Sequence, residues 1–289
     1  MRARVIAINI FLLCLGLLLG VLRPAMAQSP VITGKDQWLF YRPEIIKPVD
    51  EPAINTSLDL VQRFNKVLSA NGTTLVYAVV PIKMRIYAEF LPEDAKLTPY
   101  MAANYERALK MLRAKGVNAA DVNTTMMKSP IRTSISPIFL KGDTHWSQLG
   151  AMVVAESIKD EILKNPVAKK AYDATPEEKY SMEFRKKLYT LKGGDLRNGL
   201  PADQTNYPRE KTLLFDIKQS KKAATGLLDD TAVPEVVLVG SSYSQEWTLF
   251  SQALKFTLQR DLSSFAVTAD KSPWVGLIGG RRGRRGDRY

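Results

Sequence analysis

The chain contains a single histidine, His145, set in Asp143-Thr144-His145-Trp146-Ser147 with an acid two residues ahead of the ring. In an extended loop this spacing lets the carboxylate accept a hydrogen bond from the imidazole Nδ1–H. That bond fixes the tautomer and stabilises the imidazolium during proton transfer. A core histidine that is simply satisfied by a nearby carboxylate has the same pattern. Chemistry needs a third group, and Val239-Gly240-Ser241-Ser242-Tyr243-Ser244 offers one. An apolar strand that ends in Gly-x-Ser and turns into a helix lifts a serine hydroxyl to the C-terminal edge of a sheet, where open α/β folds keep their sites. Neighbouring amides there can hold an oxyanion. The alternative is structural: Ser241, Ser242 or Ser244 as a helix N-cap. One histidine excludes a multi-His metal centre. The one cysteine, Cys14, lies in an apolar N-terminal run, which excludes a disulfide framework and a Cys-based zinc site. No metal or other cofactor is expected.

Positioning these groups takes regular elements, and the hydrophobic pattern supplies them. Gly34 to Tyr41 couples turn residues to an aromatic strand. Leu60, Val61, Phe64, Val67 and Leu68 recur at helical spacing and stop at Asn71-Gly72. Thr74 to Val80 is β-branched and apolar. The unit repeats with a helix from Thr98-Pro99 to Gly116 and a short strand from Val117 to Val122. A third helix is expected from Ser147 to Leu163. Glu235 to Val239 is apolar enough to be a strand buried on both faces, as in a parallel sheet. Alternating helices and buried strands predict an α/β layered fold.

Composition bounds the function. Of the 289 residues, 45% are hydrophobic and 24% charged, which excludes a disordered chain. The net charge of +12 is uneven: residues 1–27 carry +3 and the last nine carry +4, leaving +5 on the body. Residues 1–27 combine Arg2 and Arg4, an 18-residue apolar run and Ala25-Met26-Ala27, the form of a cleaved export signal, with a signal anchor as the rival. Either places the body outside the cytoplasm. Export also removes nucleic acid as a partner for the arginines. The expected division is therefore a signal over 1–27, a single domain over 28–270 and a disordered basic tail over 271–289. Within the domain, residues 164–230 are polar and weakly periodic and are expected to form a surface excursion.

Taken in order, five segments resemble one family: Gly34-x-Asp36-x-Trp38-Leu39-Phe40, Val80-Pro81-x-Lys83-x-x-x-Tyr87, Asp143-Thr144-His145-Trp146-Ser147, Gly194-Asp195-Leu196, and Val239-Gly240-Ser241-Ser242-Tyr243-Ser244. The resemblance is to the alginate O-acetyltransferase AlgJ/AlgX family and covers roughly residues 30 to 260. It implies an SGNH-hydrolase-like three-layer sandwich with a mainly parallel sheet. It also implies Ser242 as nucleophile, His145 as general base and Asp143 as orienting acid, acting in acetyl transfer to an exopolysaccharide. The acetyl donor would be an MBOAT-type membrane protein within an export complex. Gln37 stands where the family usually has glycine, and the family usually continues beyond the serine with further elements. Lys83 and Arg85 are candidates to meet uronic carboxylates, and Tyr87, Trp146 and Tyr243 are candidates to contact sugar rings. Two alternatives stand beside transfer. One is an acetylesterase using the same triad; the other is a non-catalytic polysaccharide-binding scaffold.

Overall fold

The computed structural model describes residues 29–48, 51–204, 207–220 and 235–267. The expected export signal and basic tail lie outside the described residues. Among the described residues, no helix is long and apolar enough to cross a membrane.

Strands β1 (Val31–Thr33) and β2 (Leu39–Tyr41) pair antiparallel around a 3-10 turn at Lys35–Gln37. Helix α1 (Glu51–Ala70) ends before Gly72, which takes φ 73° to turn the chain into β3 (Val76–Ala78). A one-turn helix α2 (Lys83–Ile86) leads to α3 (Pro99–Ala114), capped by the Thr98 hydroxyl on Met101 N–H. Strand β4 (Asn118–Ala120) lies parallel to β3. The sequence pattern extended this strand to Val122, but the Asp121 side chain caps the Thr124 amide and starts α4 (Val122–Lys128) there. Ser147 likewise caps α5 (Gln148–Lys164), which runs on into α6 (Pro166–Ala174).

Helix α5 is the centre of the packing. Its first three turns bury Leu149, Ala151, Met152, Val153, Val154 and Ala155, so it is apolar on nearly every side rather than amphipathic. Those sides meet β3, β4, α4, α6 and a late helix, α8 (Phe250–Leu258). Each fully buried Leu, Ile or Phe in such a core contributes about 1.5–3 kcal/mol.

The segment 164–230 was expected to be a polar surface excursion, and it does more than that. It contains β5 (Tyr180–Phe184), β6 (Tyr189–Thr190), α7 (Asp195–Asn198), β7 (Lys211–Thr212) and β8 (Phe215–Gln219). Tyr180, Leu196, Thr212 and Phe215 are buried, and Phe215 belongs to the main core. Strands β5 with β8 and β6 with β7 pair antiparallel. The α/β class is as expected. Parallel pairing, however, is confined to β3–β4 and to β9 (Val236–Gly240) with β10 (Leu262–Ala266), and the three other ladders among the described residues are antiparallel.

Strand β9 also departs from the doubly buried reading. Val236 and Leu238 pack on the core while Val237 is 53% exposed, because the pleat alternates and only one face is covered.

Candidate active site

Residues 138–147 fold into a tight hairpin. Ser147 N–H donates to the Ile138 carbonyl (2.7 Å) and Leu140 N–H to the His145 carbonyl (3.1 Å), leaving Asp143 and Thr144 at the tip. Two buried or half-buried charges brace it from behind. Lys83, 1% exposed, donates from Nζ to the carbonyls of Leu140 (2.6 Å), Lys141 (2.9 Å) and Asp143 (2.9 Å). The Glu210 carboxylate accepts from the Lys141 and Gly142 amides at 2.9 and 3.2 Å.

At the tip, Asp143 Oδ1 accepts from both His145 N–H (2.9 Å) and His145 Nδ1 (2.7 Å). Its Oδ2 accepts from Asp195 N–H at 3.0 Å. Burial by itself would raise the Asp143 pKa, but these hydrogen bonds outweigh it and hold the carboxyl below its usual range. Asp195 sits at the start of α7, accepts from Thr144 N–H (2.7 Å) and Thr144 Oγ1, and places Oδ2 3.6 Å from His145 Nδ1. Its approach requires Gly194, where a Cβ would overlap the Gly142 carbonyl.

The serine arrives from the far end of the chain. Strand β9 ends at Gly240, and Ser242–Ser244 form a 3-10 turn. His145 Nε2 and Ser242 Oγ are 2.9 Å apart across 97 residues of sequence. Ser244 is buried beneath Gly240, at which a Cβ would overlap its Oγ, while Ser242 remains half-buried and open to the imidazole. The Tyr243 hydroxyl donates to the Thr144 carbonyl (2.8 Å), and its ring centre lies 4.8 Å from that of His145. Trp247, 50% exposed, presents an edge to the same imidazole at 4.8 Å. A serine hydroxyl joined to an imidazole whose other nitrogen is held by a carboxylate can lose its proton as it attacks a carbonyl carbon. Asp143, His145 and Asp195 also bring donor atoms within 4.8 Å of one another, but Nδ1 is already engaged with Asp143.

Thus Asp143, His145 and Ser242 come together, with Tyr243 packed on the ring. Four other sequence candidates do not reach the open side of the site. Lys83 is consumed by three carbonyls and stacked near Trp38. Arg85 is tied to Asn123 (2.7 Å), the Ala102 carbonyl and Glu106, which fastens α2 to α3 and α4. Tyr87 is buried, donating to the Arg132 carbonyl and accepting from Ile138 N–H, both at 3.0 Å. Trp146 is buried against Tyr243 and Phe250. All four are framework, because burial or pairing leaves no surface for a sugar.

Sequence reasoning assigned no role to Asp195, Glu210 or Glu44. Asp195 had a signal in its Gly-Asp-Leu block; the two glutamates had none. Glu44 is half-buried, accepts from Met84 N–H at 3.4 Å, and burial pushes its pKa up to about 7. Lys83 is pushed down to about 8 by burial, against the pull of Glu210, Glu44, Asp143 and Asp195. Gln37, at the family's glycine position, takes φ 65°, the left-handed region that glycine occupies without strain.

Over residues 31–278 the chain matches a family model described as an SGNH hydrolase-like domain, acetyltransferase AlgX. It is 28% identical over 250 residues to the probable alginate O-acetylase AlgJ of Pseudomonas aeruginosa, covering 82% of this chain and 61% of that protein. Against the protein of the same description from Azotobacter vinelandii the identity is 31% over 253 residues, covering 82% and 60%. The chain therefore spans about three-fifths of the length of these curated relatives. The solved O-acetyltransferase domain of Pseudomonas putida AlgJ superposes with a TM-score of 0.71 at 26% identity, covering 89% of this chain and 86% of that one. With the α/β fold and the Asp143, His145 and Ser242 arrangement already described, this match over most of its length means that the chain belongs to the SGNH hydrolase-like AlgX acetyltransferase family.

Proposed function

We propose that this protein transfers acetyl groups to hydroxyls of an exported, alginate-like polysaccharide through an acetyl-Ser242 intermediate. The observation that carries the proposal is the 2.9 Å contact of Ser242 Oγ with His145 Nε2 while Nδ1 is held by Asp143 at 2.7 Å. Ser242 Oγ attacks the carbonyl carbon of a bound acetyl ester, its proton passes to Nε2, and the leaving alcohol departs with that proton. A sugar hydroxyl then attacks the acetyl-serine, gives its proton to Nε2, and restores Ser242 as the ester to the sugar forms. Asp143 orients the ring and stabilises the imidazolium in both halves.

The alginate named in the relatives' descriptions supports a polysaccharide acceptor, and an export complex is part of the proposal. An MBOAT-type membrane protein as donor, and a periplasmic location, complete the proposal. Trp247, exposed beside the imidazole, offers a face on which a sugar ring can stack.

The test is mass spectrometry of the chain after exposure to an activated acetyl ester, with and without polyuronate. A mass gain of one acetyl group on Ser242, chased onto the polymer, supports the proposal. Acetate release with no modified polymer assigns the same triad to an esterase, and an unlabelled Ser242 leaves a binding scaffold.

A further inference from the structure

Behind the hairpin tip lies a cavity of about 300 Å³, at the lower end of ligand-pocket volumes and sized for a sugar unit rather than a long chain segment. Lys141 and Gly142 form part of its wall, and Gly142 is the direct chain neighbour of Asp143. Arg197 lines it from α7, held there by its own N–H donating to the Gly142 carbonyl at 3.0 Å. Arg209, Lys211, Glu210 and Tyr207 line it from one side, with Gln37 and Ser134 among the remaining polar residues.

Its charge is one-sided. Four cations, Lys141, Arg197, Arg209 and Lys211, face a single carboxylate. That carboxylate, Glu210, is already occupied by two backbone amides, and Lys141 donates to the Asp36 carbonyl at 3.0 Å. No side-chain ion pair or hydrogen bond joins Arg197, Arg209 or Lys211 to any other described residue. Unpaired guanidinium forks around one open cleft define the chemistry that would complete them. It is a planar anion with two oxygens, as a carboxylate presents.

We propose that this cavity is an acceptor subsite that binds the carboxylate of a uronate residue through Arg197 and Arg209, so that a neighbouring residue of the polymer presents its hydroxyl to Ser242. The subsite rests on the acetyl-transfer proposal for its purpose, but its ligand chemistry is read from the cavity alone. It also restores the uronate recognition that Lys83 and Arg85 cannot supply, since both are committed inside the fold.

The experiment is calorimetric titration of the full chain carrying Ser242→Ala, so that nothing turns over. The titrants are a uronate hexamer, its carboxyl-reduced neutral counterpart, and sodium acetate, at about 50 and 300 mM salt. The uronate hexamer should bind at least tenfold tighter than the neutral one, and Arg197→Gln/Arg209→Gln should erase that preference and flatten the salt dependence. The double Arg→Lys variant should recover part of it, which a merely unfolded protein would not do, and melting curves run alongside. Equal affinity for the two hexamers, a Kd unmoved by the double Gln variant, or acetate matching the hexamer as an adventitious ion only would each overturn the proposal. An absence of acetyl-Ser242 in the unmutated chain would overturn the acetyl-transfer proposal instead, whatever the titration shows.

Discussion

The hairpin that carries Asp143 and His145 and the turn that carries Ser242 meet at 2.9 Å, yet they are held by different means. The hairpin is braced by ions: the Lys83 ammonium on three carbonyls, the Glu210 carboxylate on two amides, and Asp195 on the tip. The serine turn is held by backbone and small side chains. It follows a strand with one face open, closes through Ser244 N–H to the Ser241 carbonyl (2.9 Å), and is pinned by Thr248 Oγ1 donating to the Tyr243 carbonyl (2.9 Å). In the proposed mechanism the imidazole must keep one tautomer and orientation while its charge changes, so an electrostatic frame suits it, whereas the proposed nucleophile needs only to stand at the edge of a turn. The ionic frame is accordingly the arm that should respond to pH and to the loss of a single charge.

The largest effect is expected where the arms meet. Ser242→Ala and His145→Ala should each lower acetyl transfer by about 10³-fold or more, with the double variant little worse than either alone, because triad members act as a unit. Steady-state rates on one ester substrate check this, and an additive double variant would mean that the two residues work separately.

Lys83→Met keeps the length of the side chain but leaves three carbonyls without their donor. A loss of about 3–5 kcal/mol in denaturant-derived stability is expected. A loss below about 1 kcal/mol would show that the hairpin stands without its ionic brace.

Glu44→Gln sharpens the comparison through pH. The Glu44 pKa is about 7 in the fold against 4.5 in the unfolded chain, so the folded state holds more protons between those values and this group's contribution falls as pH rises through that window. Asp143 has the opposite sign, contributing above its unfolded value and losing its contribution as pH falls toward the lowered folded one. Replacing Glu44 with the neutral amide should therefore raise stability relative to the parent by about 1–3 kcal/mol at pH 7.5 and by little at pH 4.5, as followed by melting at both. A difference independent of pH would mean that Glu44 does not change its charge across that window.

Tyr243→Phe cuts a second side-chain tether between the arms, Tyr243 OH to the Thr144 carbonyl, and leaves the Ser242–His145 contact in place. We expect about 1 kcal/mol of stability and a few-fold lower kcat with KM nearly unchanged. The smallest effect is at Gln37, whose left-handed backbone lies beside the hairpin and outside both arms. Gln37→Gly should stabilise by about 0.5–1 kcal/mol, as melting curves check. A destabilised glycine variant would mean that the side chain, not the backbone, is what this turn needs.

What the sequence determined by itself is local. Proline after Thr98, Ser147 ahead of an apolar run and glycine at 72 set where helices start and stop, because caps and left-handed turns act within a few residues. The two-residue spacing of Asp143 and His145 likewise contained its own hydrogen bond. The Gly-x-Ser segment offers a partner for His145, but the choice of Ser242 within it rests on family resemblance, since no periodicity links residues 97 apart. The tertiary structure decided the rest, above all which charges are buried. Lys83 looks in sequence like part of a solvated basic pair. Only the return of the 138–147 hairpin, nearly sixty residues on, supplies the carbonyls that make its burial tolerable. Glu210, Asp195 and the cationic cavity depend on the same closure. An ionisable group's environment is set by every segment that removes water from around it, and that desolvation is a property of the packed fold that no short window of sequence contains.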